Sequence, residues 1–264
     1  LCFAKNDLLN RTEYTQPCLV SCCLAMTAAI LETGITPDMT AGLSLGEYAA
    51  IATAGAMDIK TALLLVRKRG LLMQNATKDG FGGMAAVLGL EPDVLEALLK
   101  NTDAVTVANY NCPGQQVITG ETQALLEMIP RLKKNGAKVI PLKVSGPFHT
   151  PLMAPAGDAL REYFQGVAFA DPQIPVIFNC LGDVKDDSTP IQELLVKQVQ
   201  SSVFMEDSIR KMADMGVDAI VEIGPGKALS GFVKKTVPGT EIPCKIKDWK
   251  ADKEILFKDV GEDE

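Results

Sequence analysis

The pentapeptide Gly42-Leu43-Ser44-Leu45-Gly46 sets a serine between two glycines at the spacing of a nucleophile elbow. In such an elbow the chain reverses so tightly that side chains at the glycine positions would clash. The serine is left exposed at the start of a helix, whose first amides favour developing negative charge. A chain with 22 glycines can match this pattern by chance, and the alternative is an ordinary glycine turn. The setting favours the elbow: Met39–Leu43 reads as a short apolar strand, and Glu47–Ala54, closed by Gly55, as a helix. Strand, tight turn and helix in that order form the context the motif requires.

A serine hydroxyl is too weakly acidic to attack unaided at neutral pH, so it needs a base. The chain has one histidine, His149, in Ser145-Gly146-Pro147-Phe148-His149-Thr150-Pro151. A lone histidine is commonly a hydrogen-bonded core or surface residue. This one follows a strand pattern, in a Gly-Pro loop just before a helix start, and sites of parallel sheets assemble at strand ends. If Ser44 acts through an imidazole, His149 is that imidazole by elimination. No acidic residue between the two, Asp103 included, has the setting of a ring orienter, and a main-chain carbonyl would fix the tautomer equally well. Two arginines, Arg67 and Arg69, lie on a helix that runs from its cap Asp58 to about Ala76. Leu63, Leu64, Leu65, Leu71 and Leu72 cover most of that helix's circumference, so it is expected to be largely buried and each arginine to meet an anion. The residues alone do not choose between Arg67 and Arg69.

These groups need a scaffold, and 264 residues, 47% of them hydrophobic, can bury a large core in one large domain or two unequal ones. Val20–Leu31 is apolar nearly all round and predicts a helix buried on most faces. Between Gly83 and Lys143 the pattern reads strand (Met84–Leu88), helix (Pro92–Lys100), strands (Val105–Tyr110 and Gln116–Thr119), helix (Ala124–Lys134) and strand (Lys138–Leu142). That is the βαββαβ order of a ferredoxin-like unit. Pro130 is expected to kink or divide the second of its helices. Strands and helices alternate again afterwards: Val176–Asn179, Ile191–Gln200, Asp207–Met215, Asp218–Ile223, then Gly224-Pro225-Gly226 and a helix to about Lys235. The fold class is therefore α/β, a large domain of residues 1–78 and 146–264 with a parallel sheet, and an inserted ferredoxin-like domain of residues 79–145. The last residues, Gly261-Glu262-Asp263-Glu264, read as an acidic frayed tail.

Composition excludes some functions. The apolar runs, such as Cys18–Ile30 and Ala62–Val66, read as interrupted well before membrane-spanning length, so no membrane role is expected. A net charge of −7 argues against nucleic acid as a partner. Seven cysteines (Cys2, Cys18, Cys22, Cys23, Cys112, Cys180, Cys244) include no CxxC pair, which predicts reduced thiols, no metal site and a cytoplasmic setting. Positive charge is gathered at Arg67-Lys68-Arg69, at Arg131 with Lys133-Lys134, and at Lys234-Lys235. Each is either a site for an anionic substrate or a solvated helix face.

Five ordered segments carry a resemblance to a known family. They are Gly42-Leu43-Ser44-Leu45-Gly46-Glu47-Tyr48, Arg69-Gly70 with Met73-Gln74, Asn109-Tyr110-Asn111-Cys112-Pro113-Gly114-Gln115, Gly146-Pro147-Phe148-His149, and Glu222-Ile223-Gly224-Pro225-Gly226. In this order they resemble the malonyl-CoA:acyl carrier protein transacylases of bacterial type II fatty-acid synthesis, and the resemblance spans essentially all of the chain. The resemblance implies a hydrolase-like α/β domain with a ferredoxin-like insert. It implies ping-pong transfer of malonyl from malonyl-CoA through Ser44 to the phosphopantetheine thiol of an acyl carrier protein, with His149 as base and no cofactor beyond the thioester.

The same resemblance implies the main-chain carbonyl of Gln198 as the orienter of His149 and the Leu45 amide as an oxyanion donor. It makes Arg69, rather than Arg67, the partner of the malonyl carboxylate, whose two oxygens suit a guanidinium fork. Phe148 is implied to favour malonyl over α-methylated donors, and Asn111 to line the same pocket. Two departures stand out: Leu43 occupies a position where the family often has histidine, and the family's first strand and Gly-Gln-Gly loop, which supply a second oxyanion donor, have no counterpart in this sequence. A serine hydrolase remains an alternative, although Arg69 on a buried helix would then face a neutral ester. So does a non-catalytic carrier-binding module without a complete oxyanion hole. A monomer is expected.

Overall fold

The structure, a computed structural model, describes residues 7–78, 80–102, 104–144, 146–238 and 245–248. Cys2, Asp103, Cys244 and the acidic stretch 261–264 lie outside the described residues. The chain opens, after a short 3-10 turn, with α1 (Thr12–Glu32), which starts eight residues before the Val20 expected from the apolar pattern and runs through Pro17. A proline cannot donate to the carbonyl four residues back. Here that carbonyl, of Glu13, accepts a hydrogen bond from Arg67 Nη1 at 2.7 Å instead.

The helix buries one stripe only, Glu13, Gln16, Val20, Leu24, Thr27 and Ile30, while Ala25, Ala28, Ala29 and Leu31 are exposed. Burial on most faces is thus not found. The outward positions are mainly small side chains, whose exposure is cheap. By length and composition α1 could cross a membrane, so the expectation that no apolar run reaches spanning length is also corrected. Its buried stripe packs within the protein.

β1 (Thr40–Ala41) leads through the elbow into α2 (Gly46–Thr53), and Asp58 then caps α3 (Ile59–Asn75) by accepting the Thr61 N–H at 2.7 Å. α3 too is one-sided: Ala62, Leu65, Val66, Arg69, Gly70 and Met73 are buried, whereas Leu64 is 53% exposed. Its buried face meets α1 so closely at Gly70 that a Cβ there would lie 2.8 Å from the Thr12 carbonyl oxygen and 2.9 Å from Glu13 Cα. This contact brings Gln16 and Arg69 together.

The next six elements follow the expected order: β2 (Gly82–Leu88), α4 (Pro92–Leu99), β3 (Val105–Cys112), β4 (Gln115–Glu121), α5 (Thr122–Lys134) and β5 (Lys138–Pro141). They pair as β5-β2-β4-β3, every neighbour antiparallel, which is the split βαβ arrangement. One face of the sheet packs Ala85, Val87, Val107 and Ile118 against Leu95, Leu125, Met128 and Leu132 of the two helices. Pro130 does not divide α5. The carbonyl it leaves without a donor is that of Leu126, a residue 59% exposed, where water can satisfy it.

The chain continues with α6 (Ala154–Phe164), β6 (Val176–Phe178), β7 (Asp183–Val184), α7 (Ile191–Gln200), β8 (Val203–Phe204), α8 (Met205–Asp214), β9 (Ala219–Glu222), α9 (Ala228–Thr236) and β10 (Lys245–Asp248). β6 pairs parallel with β1 and antiparallel with β7, β9 pairs parallel with β10, and β8 joins the other sheet parallel to β3. A core of Val20, Tyr48, Ile51, Leu65, Val66, Leu160, Phe178 and Leu195 binds α1, α2, α3, α6 and α7 to β6. Ile177, Val203, Ile209 and Phe232 form a second core beneath α8 and α9. The elbow, at the end of β1, and the loop after β6 therefore lie side by side.

Candidate active site

The elbow is as tight as its glycines demand. A Cβ on Gly42 would lie 2.0 Å from the Gly46 carbonyl carbon and 2.4 Å from the Glu47 nitrogen, both backbone atoms with no room to yield. Ser44 has φ +50°, in the left-handed region that L side chains rarely adopt. Among the described residues the only other non-glycine with positive φ is His149, at +61°. Strain of this kind gathers at functional sites.

These two residues meet. Ser44 Oγ lies 2.7 Å from His149 Nε2, and His149 Nδ1 lies 2.8 Å from the main-chain carbonyl of Gln198 on α7. A carbonyl can only accept, so Nδ1 carries the ring proton, and the Nε2 lone pair is left to take the Ser44 proton. His149 is 4% exposed, and burial followed by the nearby Arg69 charge lowers its pKa from the ordinary 6.5 to about 4. The imidazole is therefore neutral, the form a base needs, throughout the physiological range. Among the described residues no carboxylate orients it.

Arg69, 1% exposed, completes the cluster. Its Nη2 donates to Ser44 Oγ at 3.1 Å and to Gln198 Oε1 at 3.0 Å, and its Nη1 donates to Gln16 Oε1 at 2.8 Å. The sequence predicts that each arginine meets an anion. Arg67 does, 3.3 Å from a Glu13 carboxylate oxygen. Arg69 does not: among the described residues it holds only neutral oxygens and forms no ion pair with Glu47, and its buried Nε has no partner. Burial lowers the Arg69 pKa, and the nearby Tyr48 and Glu47 oppose that shift. A buried guanidinium whose hydrogen-bond acceptors are all neutral, and which has an unused N–H, favours an incoming carboxylate.

Leu45, directly after Ser44, is the N-cap residue of α2. Phe148 packs between two cores, touching the cluster around Tyr48 on one side and Met84, Ala108 and Val117 on the other. Asn111 is buried near the end of β3, its Oδ1 unpartnered, and no hydrogen bond ties it to the serine or the histidine. The basic groups at Arg131 with Lys133 and Lys134, and at Lys234 with Lys235, are exposed in the last turns of α5 and α9, where cations suit the helix dipole.

Three side-chain roles in the site are not legible in the sequence. Gln16 holds Arg69, the Gln198 side chain joins Arg69 to the Ser44 carbonyl (Nε2 to O, 2.8 Å), and Asn179 accepts the Ser44 N–H through Oδ1. For Asn179 a signal existed: it is a polar residue directly after the apolar strand Val176–Phe178, at the end where sites form.

Residues 2–251 match the acyl transferase domain family. The chain belongs to that family. It is 46% identical over 235 residues to a malonyl CoA-acyl carrier protein transacylase of Bacillus subtilis, covering 86% of this chain and 73% of the relative. A Staphylococcus aureus protein of the same name is 40% identical over 232 residues, covering 86% and 75%. Among solved structures, a malonyl CoA-acyl carrier protein transacylase from Clostridium perfringens superposes with a TM-score of 0.89 at 38% identity, covering 95% of this chain and 80% of that one. A malonyl-transacylase solved in complex with a type II PKS acyl-carrier protein superposes at 0.86, with 36% identity and coverage of 91% and 78%. The chain is thus an acyltransferase, with the fold those structures share.

Proposed function

We propose that this acyltransferase moves malonyl from malonyl-CoA to the phosphopantetheine thiol of an acyl carrier protein, by way of a malonyl ester on Ser44. The observation that carries the reading is the position of Ser44 Oγ between a neutral base, His149 Nε2 at 2.7 Å, and a buried cation, Arg69 Nη2 at 3.1 Å. As Oγ attacks the thioester carbonyl, Nε2 takes its proton. When the tetrahedral adduct collapses the C–S bond breaks, and Nε2 returns the proton to the departing CoA sulfur. The carrier thiol then attacks the Ser44 ester, and the same steps run in reverse.

The Leu45 amide, at the start of α2, serves as an oxyanion donor. Arg69 pairs with the free carboxylate of malonyl, using Nε and the edge that faces Ser44. Phe148 and Asn111 line the acyl pocket. A division into a large domain of residues 1–78 and 146–264 and a small one of 79–145 sets Phe148 of the first against Met84, Ala108 and Val117 of the second. The cycle invokes no metal and no cofactor beyond the thioester, and we take the protein to be a cytoplasmic monomer away from membrane and nucleic acid. A hydrolase is disfavoured, because a neutral ester would leave the Arg69 charge uncompensated.

Intact mass after incubation with malonyl-CoA tests the proposal. A malonyl adduct on the wild type, absent from Ser44→Ala and reduced in Arg69→Ala, is expected. A folded wild type that acquires no adduct, yet binds carrier protein, would replace transfer with the carrier-binding reading.

A further inference from the structure

The left-handed backbone of Ser44 persists only if its surroundings fix it. Gln198 Nε2 and the Glu47 N–H hold the Ser44 carbonyl, and one further side chain holds its N–H and the Gly42 carbonyl together. Asn179, 1% exposed, follows β6, the strand paired with β1. Its Oδ1 accepts the Ser44 N–H, and its Nδ2 donates to the Gly42 carbonyl at 2.6 Å, so one planar amide grips both sides of the residue between. The clamp is itself anchored. The Asn179 N–H donates at 2.6 Å to Glu47 Oε2, in the first turn of the helix the elbow leads into. The Asn179 carbonyl accepts the Phe204 N–H of β8 at 2.9 Å. The loop of bonds therefore leaves the elbow, passes through Asn179 and returns to the elbow's own helix.

We propose that Asn179 is the positioning residue of the nucleophile: it fixes the Ser44 backbone so that Oγ reaches His149, without touching substrate itself. The proposal rests on Ser44 being the acylated residue. The chemistry it requires is one acceptor and one donor on the same small planar group. Ionised aspartate offers two acceptors and would turn one of them against the Gly42 carbonyl oxygen. Protonated aspartic acid restores one acceptor and one donor. Leucine offers neither. The charged or titratable groups around the network are Glu47 on α2, Arg69 on α3, His149 before α6, Cys180 next in the chain and Lys197 on α7. Burial raises a carboxyl pKa, so an aspartate at this position should protonate while His149, with its pKa at about 4, is still neutral.

The test compares Ser44 acylation by malonyl-CoA, followed by intact mass, in wild type, Asn179→Leu and Asn179→Asp. At about pH 8 both variants should acylate roughly 10- to 100-fold more slowly with KM little changed, the size expected for a lost buried hydrogen bond. Between about pH 8 and pH 5.5 the Asn179→Asp rate relative to wild type should climb about tenfold, while the Asn179→Leu ratio stays flat. An Asn179→Asp ratio that does not move with pH overturns the proposal, and this arm decides alone if Asn179→Leu fails to fold. Ser44 amide hydrogen exchange gives a readout independent of turnover. It should quicken by about a hundredfold in Asn179→Asp at about pH 8. If wild type takes up no malonyl, the transfer reading fails and this exchange still judges the clamp, an unchanged rate refuting it.

Discussion

A titration of the lone histidine tests the site's electrostatics without any substrate. The chain has a single histidine, so the ring Cε1–H signal in an NMR pH series belongs to His149 and nothing else. The ring is buried, donates one N–H to the Gln198 carbonyl and sits near the Arg69 cation, so charging it means placing a second positive charge in a dry site. The expected midpoint is about 4, against the ordinary 6.5. That difference corresponds to about 3 kcal/mol of preference for the neutral ring.

The sign for stability follows. Between pH 6.5 and about 4 the unfolded chain binds the proton and the folded one does not, so this contribution is complete above 6.5 and is lost as pH falls towards 4. Glu47 works the other way. Burial raises its carboxyl to about 8, so its contribution is complete below 4.5 and is lost as pH rises through 8. In Arg69→Met the repulsion goes while the burial stays, and the histidine midpoint should move up but remain below 6.5. A wild-type midpoint between about 6 and 7 would refute the reasoning, since it would mean a solvated ring that spends much of its time charged.

Other substitutions have definite outcomes. Gly42→Ala sets a Cβ 2.0 Å from a backbone carbon, so it should destabilise the fold by about 4 kcal/mol or more, seen as a melting point lower by roughly 8–16 °C. Gln16→Leu removes the acceptor of Arg69 Nη1. It should lower kcat/KM for malonyl-CoA by roughly tenfold or more while scarcely changing transfer from acetyl-CoA, which has no free carboxylate. Phe148→Ala withdraws a ring wedged between two cores, and selection of malonyl over methylmalonyl, measured as a ratio of kcat/KM values, should fall by about tenfold or more.

Much of this was legible beforehand, because local chemistry and global fold agree along most of the chain. Asp58 reads as a cap and caps, and the βαββαβ order holds element by element. Ser44 and His149, separated by 105 positions, meet because one ends an apolar strand and the other precedes a helix. The misses share a cause. In α1 and α3 the apolar circumference predicts burial on most faces, yet each packs along one side, since a helix is buried only where a neighbour exists, and small outward residues do not disclose which side that is. Pro130 is harder, because whether a proline breaks a helix depends on who satisfies the carbonyl four residues back, as Pro17 also shows. Behind Pro17 it is Arg67, 54 positions from the Glu13 carbonyl it satisfies, which no local pattern encodes. Asn179 and Gln16 work through contacts at similarly long range.

The two positive-φ residues bear on how such a protein can be improved. Ser44 and His149 are the described non-glycines whose backbone would relax if replaced by glycine. A screen that rewards heat tolerance alone will be drawn to the positions that turnover depends on, and its winners there would be well folded and inert. Selection for longevity and selection for throughput pull this elbow in opposite directions.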